Sequence, residues 1–478
     1  MSEPPKHNDP FVVSTGVDGE TGRSLLPPTT PEALGRLVAD IPPDEELSQA
    51  LQDWCEGKTV RDPFRAPSTD VKCPTDLADA GWGVIFAEDT PAGVRRALRP
   101  LLELRSDQAK ENYFELTYEA QDTFRSFMSR VGFKPGTQPS PNKLPYYLLL
   151  VGDPEKMPFG FQRELDVQFA VGRLHFDAED PEKPDVVFQA YRAYADAVVA
   201  AEEGKRRRRK TIFFSVENPG DEATGRVAGE LVEELAGALQ KSRREWSPEV
   251  IGGKDATKEQ LRRLFQGDNR RPSFLFTSSH GLRFRNGKEE QARAQGALVC
   301  RDWDSSGAAP QRDHYFSAAD VPEDADLTGL ITFHFACYSA GTPQFDEFGE
   351  LSGIRGEIAP HPFVARLPQK LLEKGALAVI GHIDRTWTSS FTWREEGGHV
   401  QVYNDILKQL MDGLPVGWAM EAMGAYHGSL AASLNEMRAM LPFHKPEDYA
   451  IYADLWRETN DARNFVVLGD PAVRLNLD

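Results

Sequence analysis

A thiol and an imidazole can break an acyl bond between them if the fold brings them together. Cys337 stands in Phe335-Ala336-Cys337-Tyr338-Ser339-Ala340-Gly341, and His280 in Ser278-Ser279-His280-Gly281, 57 residues earlier. Each lies just past an apolar run, 273–278 before the histidine and 330–336 at the cysteine. The thiolate is the attacking species, so the cysteine needs a base or a cationic neighbour. A histidine on an adjacent strand tip supplies one. The oxyanion that develops needs fixed N–H donors, and the backbone amides of Gly281 and Cys337 are the candidates. Gly281 also leaves room for close approach, having no side chain.

The elements that must position this pair alternate along the chain. Apolar runs at 81–86, 146–151, 168–173, 211–216, 273–278, 330–336, 376–380 and 464–468 predict strands. Helical spacing of apolar residues predicts helices at 91–106, 110–131, 184–203, 224–240, 257–265, 362–374, 399–412 and 415–434. Strands alternating with helices predict an α/β fold, a mostly parallel sheet with helices on both faces. In such sheets chemistry collects beyond the carboxyl ends of the strands, where His280 and Cys337 fall. The expected division is an N-terminal Pro- and acid-rich extension at 1–75 and two α/β subdomains at 76–205 and 206–478. Short helices are expected at 31–40 and 44–56. Leu149-Leu150-Val151-Gly152-Asp153-Pro154 is echoed by Val466-Val467-Leu468-Gly469-Asp470-Pro471.

Composition narrows the function. Asp and Glu number 74 against 55 Lys and Arg, a net charge of −19, which argues against phosphate-backbone binding. The longest apolar stretch, 146–151, is far short of the ~20 residues that span a bilayer. The opening residues carry no apolar run of signal-peptide type, so a cytoplasmic protein is expected. Four cysteines (Cys55, Cys73, Cys300 and Cys337) form no disulfide framework and no CxxC pair. Cys300 reads as packing, and Cys55 and Cys73 have no recognisable base. His314, His334 and His382 lack the strand-tip His-Gly context. No contiguous Asp-rich calcium loop is present, so no metal and no organic cofactor is expected.

The ordered motifs resemble those of caspase-like cysteine peptidases, the bacterial gingipain-type and CHAT-type branches in particular. The resemblance runs from about residue 145 to the end. It includes Val171-Gly172-Arg173, Ser279-His280-Gly281, Phe335-Ala336-Cys337-Tyr338-Ser339, the run 375–384 followed by Trp387, and Leu468-Gly469-Asp470-Pro471. It implies a caspase-like sheet and a cysteine endopeptidase acting on protein substrates. His280 would be general base and acid, Cys337 the nucleophile, and no third acid is required. It further implies that Trp387 lines the S1 pocket.

By the same resemblance an acidic residue near the first helix of the catalytic part would receive Arg or Lys at P1. Asp221 and Glu222 are the candidates, with solvated loop acids or a helix N-cap as the alternative. Asp346 and Glu347 are further candidates. Arg283, Arg285 and Arg385 would instead suit an acidic P1. Many relatives are zymogens acting in bacterial defence or cell death. The basic run Lys205, Arg206, Arg207, Arg208, Arg209 and Lys210, or the arginines of 283–293, would then be cleaved by this enzyme or by an upstream protease. The alternative for the basic run is a solvated helix end. A rival reading is a catalytically silent scaffold on the same fold. The insertion from Leu282 to about Asp320 is polar and is expected to be a mobile loop.

Overall fold

The computed structural model describes residues 73–477 except 134–139, 179–183, 205–206, 268–270, 305–308, 347–355, 388–390, 394–396, 399 and 441–447. Residues 1–72 of the extension, with its expected helices and Cys55, lie outside the described residues, as do Glu347, Lys205 and Arg206.

Ten strands form one sheet: β1 (Trp82–Ala87), β2 (Tyr113–Tyr118), β3 (Tyr147–Val151), β4 (Ala170–Leu174), β5 (Lys210–Ser215), β6 (Ser247–Ile251), β7 (Phe274–Ser278), β8 (Ile331–Phe335), β9 (Ala378–His382) and β10 (Phe465–Gly469). Their order is β2-β1-β3-β4-β10-β9-β8-β7-β5-β6. Eight of the nine neighbouring pairs are parallel, and β9–β10 is antiparallel. The sheet is therefore two parallel halves of opposite direction, joined at one antiparallel seam. All strands before residue 205 lie in one half, together with β10 from the far end of the chain. The expected mixed α/β fold with a mostly parallel, helix-covered sheet is present.

Central strands are buried along their whole length, as continuous apolar runs should be. On β1, Val84 and Phe86 join the cluster holding Val94, Leu98 and Leu101 on one face, and Tyr191 and Val198 of the helix Pro184–Glu203. Ile85 and Ala87 point the other way, against Phe127 and Met128 of the helix Phe124–Arg130 and Phe161 and Leu165 of the helix Phe159–Leu165. Apolar burial of this extent, at roughly 25 cal/mol per Å², is what holds the two faces on.

Polar contacts gather at the end of β10, and one of them reaches across to the start of β9. Asp470, in the second Gly-Asp-Pro turn, accepts from Trp82 Nε1 at 2.9 Å and Arg105 Nε at 2.7 Å. Glu202 meets the same guanidinium at 2.6 Å. The Asp470 amide donates to Tyr194 Oη, which donates to the Leu377 carbonyl. The first Gly-Asp-Pro turn is held differently. Arg173 donates to the Gly152 and Met157 carbonyls and fixes the chain leaving β3.

Three expectations need correcting. The predicted helix 110–131 contains the edge strand β2, then the helix Phe124–Arg130. Tyr113-Phe114-Glu115-Leu116-Thr117-Tyr118 is aromatic and β-branched, and such residues favour a pleated, half-buried surface. Between the predicted helices 224–240 and 257–265, where no element is expected, lies the edge strand β6, whose Pro248 suits an edge position. The insertion after His280 is built rather than open. It carries the helix Glu289–Ala294 and a hairpin of Leu298–Val299 with Tyr315–Phe316. Ala297, Val299 and Tyr315 form a small core there with Leu282, Phe284 and Trp303.

Candidate active site

His280 follows β7 and Cys337 follows β8, and these strands are parallel neighbours. The two strand exits touch. The Ser279 amide donates to the Phe335 carbonyl at 3.3 Å. A Cβ placed on Gly281 would lie 1.8 Å from the Cys337 carbonyl oxygen and 2.7 Å from its amide nitrogen. Glycine is required here because the Cys337 backbone occupies the space a side chain would fill. Neither the Gly281 nor the Cys337 amide donates to an acceptor among the described residues.

The turn that presents the thiol is strained. Tyr338 has φ of +57°, a left-handed conformation costly for an aromatic residue. It is held by a 2.7 Å bond from its amide to the Asp384 carbonyl. The Ala340 amide donates to the His382 carbonyl, and Ser339 Oγ bridges the His382 amide and the His334 carbonyl. The tip of β9 thus backs the cysteine loop.

The half-buried Cys337 Sγ faces Thr386, 3.7 Å from its carbonyl oxygen and from Oγ1. Burial pushes the thiol above its ordinary range, and the Thr386 contacts offset part of that rise. No hydrogen bond joins Sγ to either imidazole nitrogen.

His280 instead pairs through Nε2 with Asp221 Oδ2. Asp221 is the N-cap of the helix Glu222–Arg226, its Oδ1 accepting from the Ala223 amide at 2.9 Å. The N-cap alternative is therefore realised, and the second carboxylate oxygen is engaged by the imidazole. Glu222 is exposed beside it. The His280 ring also stands edge-on to Trp303, centroids 6.2 Å apart. Asn218 Nδ2 anchors that insertion through the Cys300 and Trp303 carbonyls.

Of the charged residues considered for a specificity pocket, Asp346 and Arg385 form a pair. Arg385 Nη2 lies 2.5 Å from Asp346 Oδ2, and its Nε donates to Tyr338 Oη at 3.2 Å. Trp387 follows Thr386 directly, with the Arg457 guanidinium 5.8 Å from its ring centroid. Arg283 and Arg285 lie on the insertion.

The other candidates are accounted for. Cys300 is fully buried, its thiol pushed up by burial and directed at the Leu298 carbonyl. Cys73 is exposed, beside Thr75. His334 is buried between Thr277 Oγ1 and Thr332 Oγ1, and burial lowers it to about 3. His314 accepts the Gln311 amide. In the basic run, Arg207 is tied by its amide to the Asn476 carbonyl and by Nη1 to the Pro272 carbonyl. The Arg208 and Arg209 carbonyls accept from Ser273 Oγ and the Ser247 amide, and Lys210 opens β5.

One cluster of metal-ligating types occurs among the described residues, Asp153, His175 and Asp177. His175 Nε2 is 2.9 Å from Asp177 Oδ1 and 3.8 Å from Asp153 Oδ2. The other Asp177 oxygen takes Gln369 Nε2 at 2.7 Å and lies 3.5 Å from Arg366 Nε. Burial works against the Asp177 carboxylate, yet His175 and Arg366 hold it at about 2. Protein donors already satisfy this group.

No protein-family model matches the sequence, and no curated protein matches it. Among solved structures the chain is similar to the Arg-specific cysteine proteinase gingipain R, at 13% identity over 86% of this chain and 81% of that one, TM-score 0.47. The complex of pro- and mature gingipain domains from Porphyromonas gingivalis gives 14% identity, 83% and 80% coverage and a TM-score of 0.46. The Saccharomyces cerevisiae separase–securin complex gives 11% identity over 70% of this chain and 16% of that one, TM-score 0.33. These likenesses concern the sheet scaffold and say nothing about which residues act here. No helix among the described residues is long and apolar enough to cross a membrane.

Proposed function

We propose that this chain is a cysteine endopeptidase with Cys337 as nucleophile and His280 as base and acid. One observation carries the reading: His280-Gly281 lies against the Cys337 backbone at the exits of two adjacent parallel strands. His280 takes the proton of the Cys337 thiol as the sulfur adds to the scissile carbonyl carbon, and the uncommitted amides of Gly281 and Cys337 receive the oxyanion. Collapse expels the amine with a proton from His280 and leaves a thioester. Water then adds, His280 takes its proton, and the thiol is restored. Asp221 on Nε2 leaves Nδ1 as the nitrogen that moves the proton, and holds the ring in that tautomer.

Protein substrates follow from this reading, and specificity is a finer proposal. For Arg or Lys at P1, Glu222 is the carboxylate that would receive the cation, since Asp221 is engaged by His280 and Asp346 by Arg385. Trp387 would form a wall. A second reading is favoured by the Arg385–Asp346 pair: Arg385 already holds a carboxylate beside the Cys337 turn, so an acidic P1 side chain would take the place of Asp346. A regulated role in bacterial defence or cell death, with activation by cleavage in the basic run, rests on motif resemblance alone.

The test is hydrolysis of paired fluorogenic peptides ending in Arg, Lys, Asp or Glu by wild type, Cys337→Ala, His280→Ala, Arg385→Ala and Asp346→Ala. Turnover lost in the first two variants supports the peptidase reading. A wild type that cleaves nothing, and is not labelled at Cys337 by peptidyl ketones, sinks it in favour of the scaffold. Loss of Asp/Glu cleavage in Arg385→Ala selects the acidic P1.

A further inference from the structure

His382 closes β9 and is completely buried. Both of its ring nitrogens are used. Nδ1 accepts the Asp384 amide at 3.1 Å, which leaves the proton on Nε2, and Nε2 donates to the Asp461 carbonyl at 3.0 Å. The ring packs edge-on against Phe465 with centroids 4.8 Å apart. Its own backbone touches the cysteine loop twice, through Ser339 Oγ and the Ala340 amide.

Asp384 is the link forward. Its amide is held by the imidazole, and its carbonyl holds the Tyr338 amide at 2.7 Å. Tyr338 is the residue in the left-handed conformation next to Cys337. A strained turn persists only where its surroundings over-determine it. Two residues past Asp384, Thr386 takes the Cys337 sulfur. The imidazole thus sits at the root of both contacts that set where the thiol points.

We propose that His382 is a positioning residue for Cys337, acting through the Asp384 amide and carbonyl on the Tyr338 turn. It does not touch substrate. Without the brace, the 384–386 segment leaves the cysteine loop, Tyr338 relaxes from positive φ, and Sγ swings out of register with His280. Misplacement of a reacting atom by about 1 Å costs about 10²-fold in rate. The effect on turnover rests on the peptidase reading, whereas the effect on the thiol does not.

The test compares His382→Leu, His382→Asn and His382→Gln. The Asn oxygen sits near the Nδ1 position and can still accept the Asp384 amide. The Gln amide reaches the Nε2 position and keeps only the Asp461 contact. Two readouts are taken: kcat and KM for the best peptide, and the rate of Cys337 alkylation by iodoacetamide, read by mass spectrometry. For His382→Leu and His382→Gln the expectation is a kcat lower by about 10–10²-fold. KM should stay within about twofold, and alkylation should be faster as Sγ loses Thr386 and its burial. His382→Asn should return both readouts most of the way to wild type. Wild-type values in His382→Leu, or rescue by Gln and not by Asn, overturn the proposal. If His382→Leu does not fold, the Asn–Gln comparison decides. If wild type cleaves no peptide, the peptidase reading has failed, and the alkylation series still tests the brace.

Discussion

Asp221 divides its carboxylate: Oδ1 caps the helix Glu222–Arg226 through the Ala223 amide, and Oδ2 meets Nε2 of His280. One side chain therefore fixes a helix start and an imidazole at once. Asn and Asp cap about equally well, so Asp221→Asn separates the two roles. Thermal stability should change by at most a few tenths of a kcal/mol. The carboxylate that accepts from Nε2 and orients the ring is lost, and kcat should fall on the order of 10²-fold, with KM little changed. Unaltered kcat in Asp221→Asn would return Asp221 to the specificity pocket.

Gly281→Ala is the sharpest test of the strand-exit geometry. The added Cβ would lie 1.8 Å from the Cys337 carbonyl oxygen, and backbone on both sides cannot yield as a side-chain tip would. Overpacking of this kind costs about 1–3 kcal/mol, and here it separates His280 from Cys337. Differential scanning calorimetry should show a lower Tm, and peptide turnover should be abolished. A Gly281→Ala protein with wild-type turnover would contradict the placement.

The central scaffold was legible because buried parallel strands are continuous apolar runs. The edge strands were not. Glu115 and Thr117 in β2, and Ser247, Pro248 and Glu249 in β6, read as helix and linker because an edge strand needs only one apolar partner. The reversal of direction at β9–β10 leaves no mark in either strand. His280, Gly281 and Cys337 were legible from residue type at strand ends. The Asp221 contact was not, since a carboxylate opening a helix looks the same whether or not an imidazole lies behind it. Thr386, the Tyr338 conformation and the Arg385–Asp346 pair are products of tertiary packing and carry no sequence signal.

The second Gly-Asp-Pro turn predicts a stability effect remote from the site. Asp470 is fully buried and meets the equally buried Arg105 at 2.7 Å. Removing one member of a buried pair leaves an uncompensated charge and costs about 3–5 kcal/mol. Asp470→Ala should lower the denaturation midpoint accordingly. Asp470→Asn, which still accepts from Trp82 Nε1, should cost less. Equal midpoints for Asp470→Ala and wild type would show that Glu202 alone neutralises Arg105.

Cys337 predicts a pH dependence with a definite sign. Burial raises its thiol above the ordinary value, so the folded protein favours the neutral form. Any stability this contributes is intact below the ordinary thiol range and is lost as pH rises from there through the raised value of the folded protein. Without substrate, alkylation of Cys337 by iodoacetamide should be slower at neutral pH than that of a model thiol. It should still be climbing at pH values beyond the ordinary thiol range near ~8.5. Thr386 opposes the rise, its Oγ1 lying 3.7 Å from Sγ. Thr386→Val keeps the shape but removes that hydroxyl, so it should push the alkylation profile further toward high pH. A profile in wild type that is flat from pH 6 upward would mean a thiolate already formed at rest, with Cys337 paired to His280 rather than to Thr386.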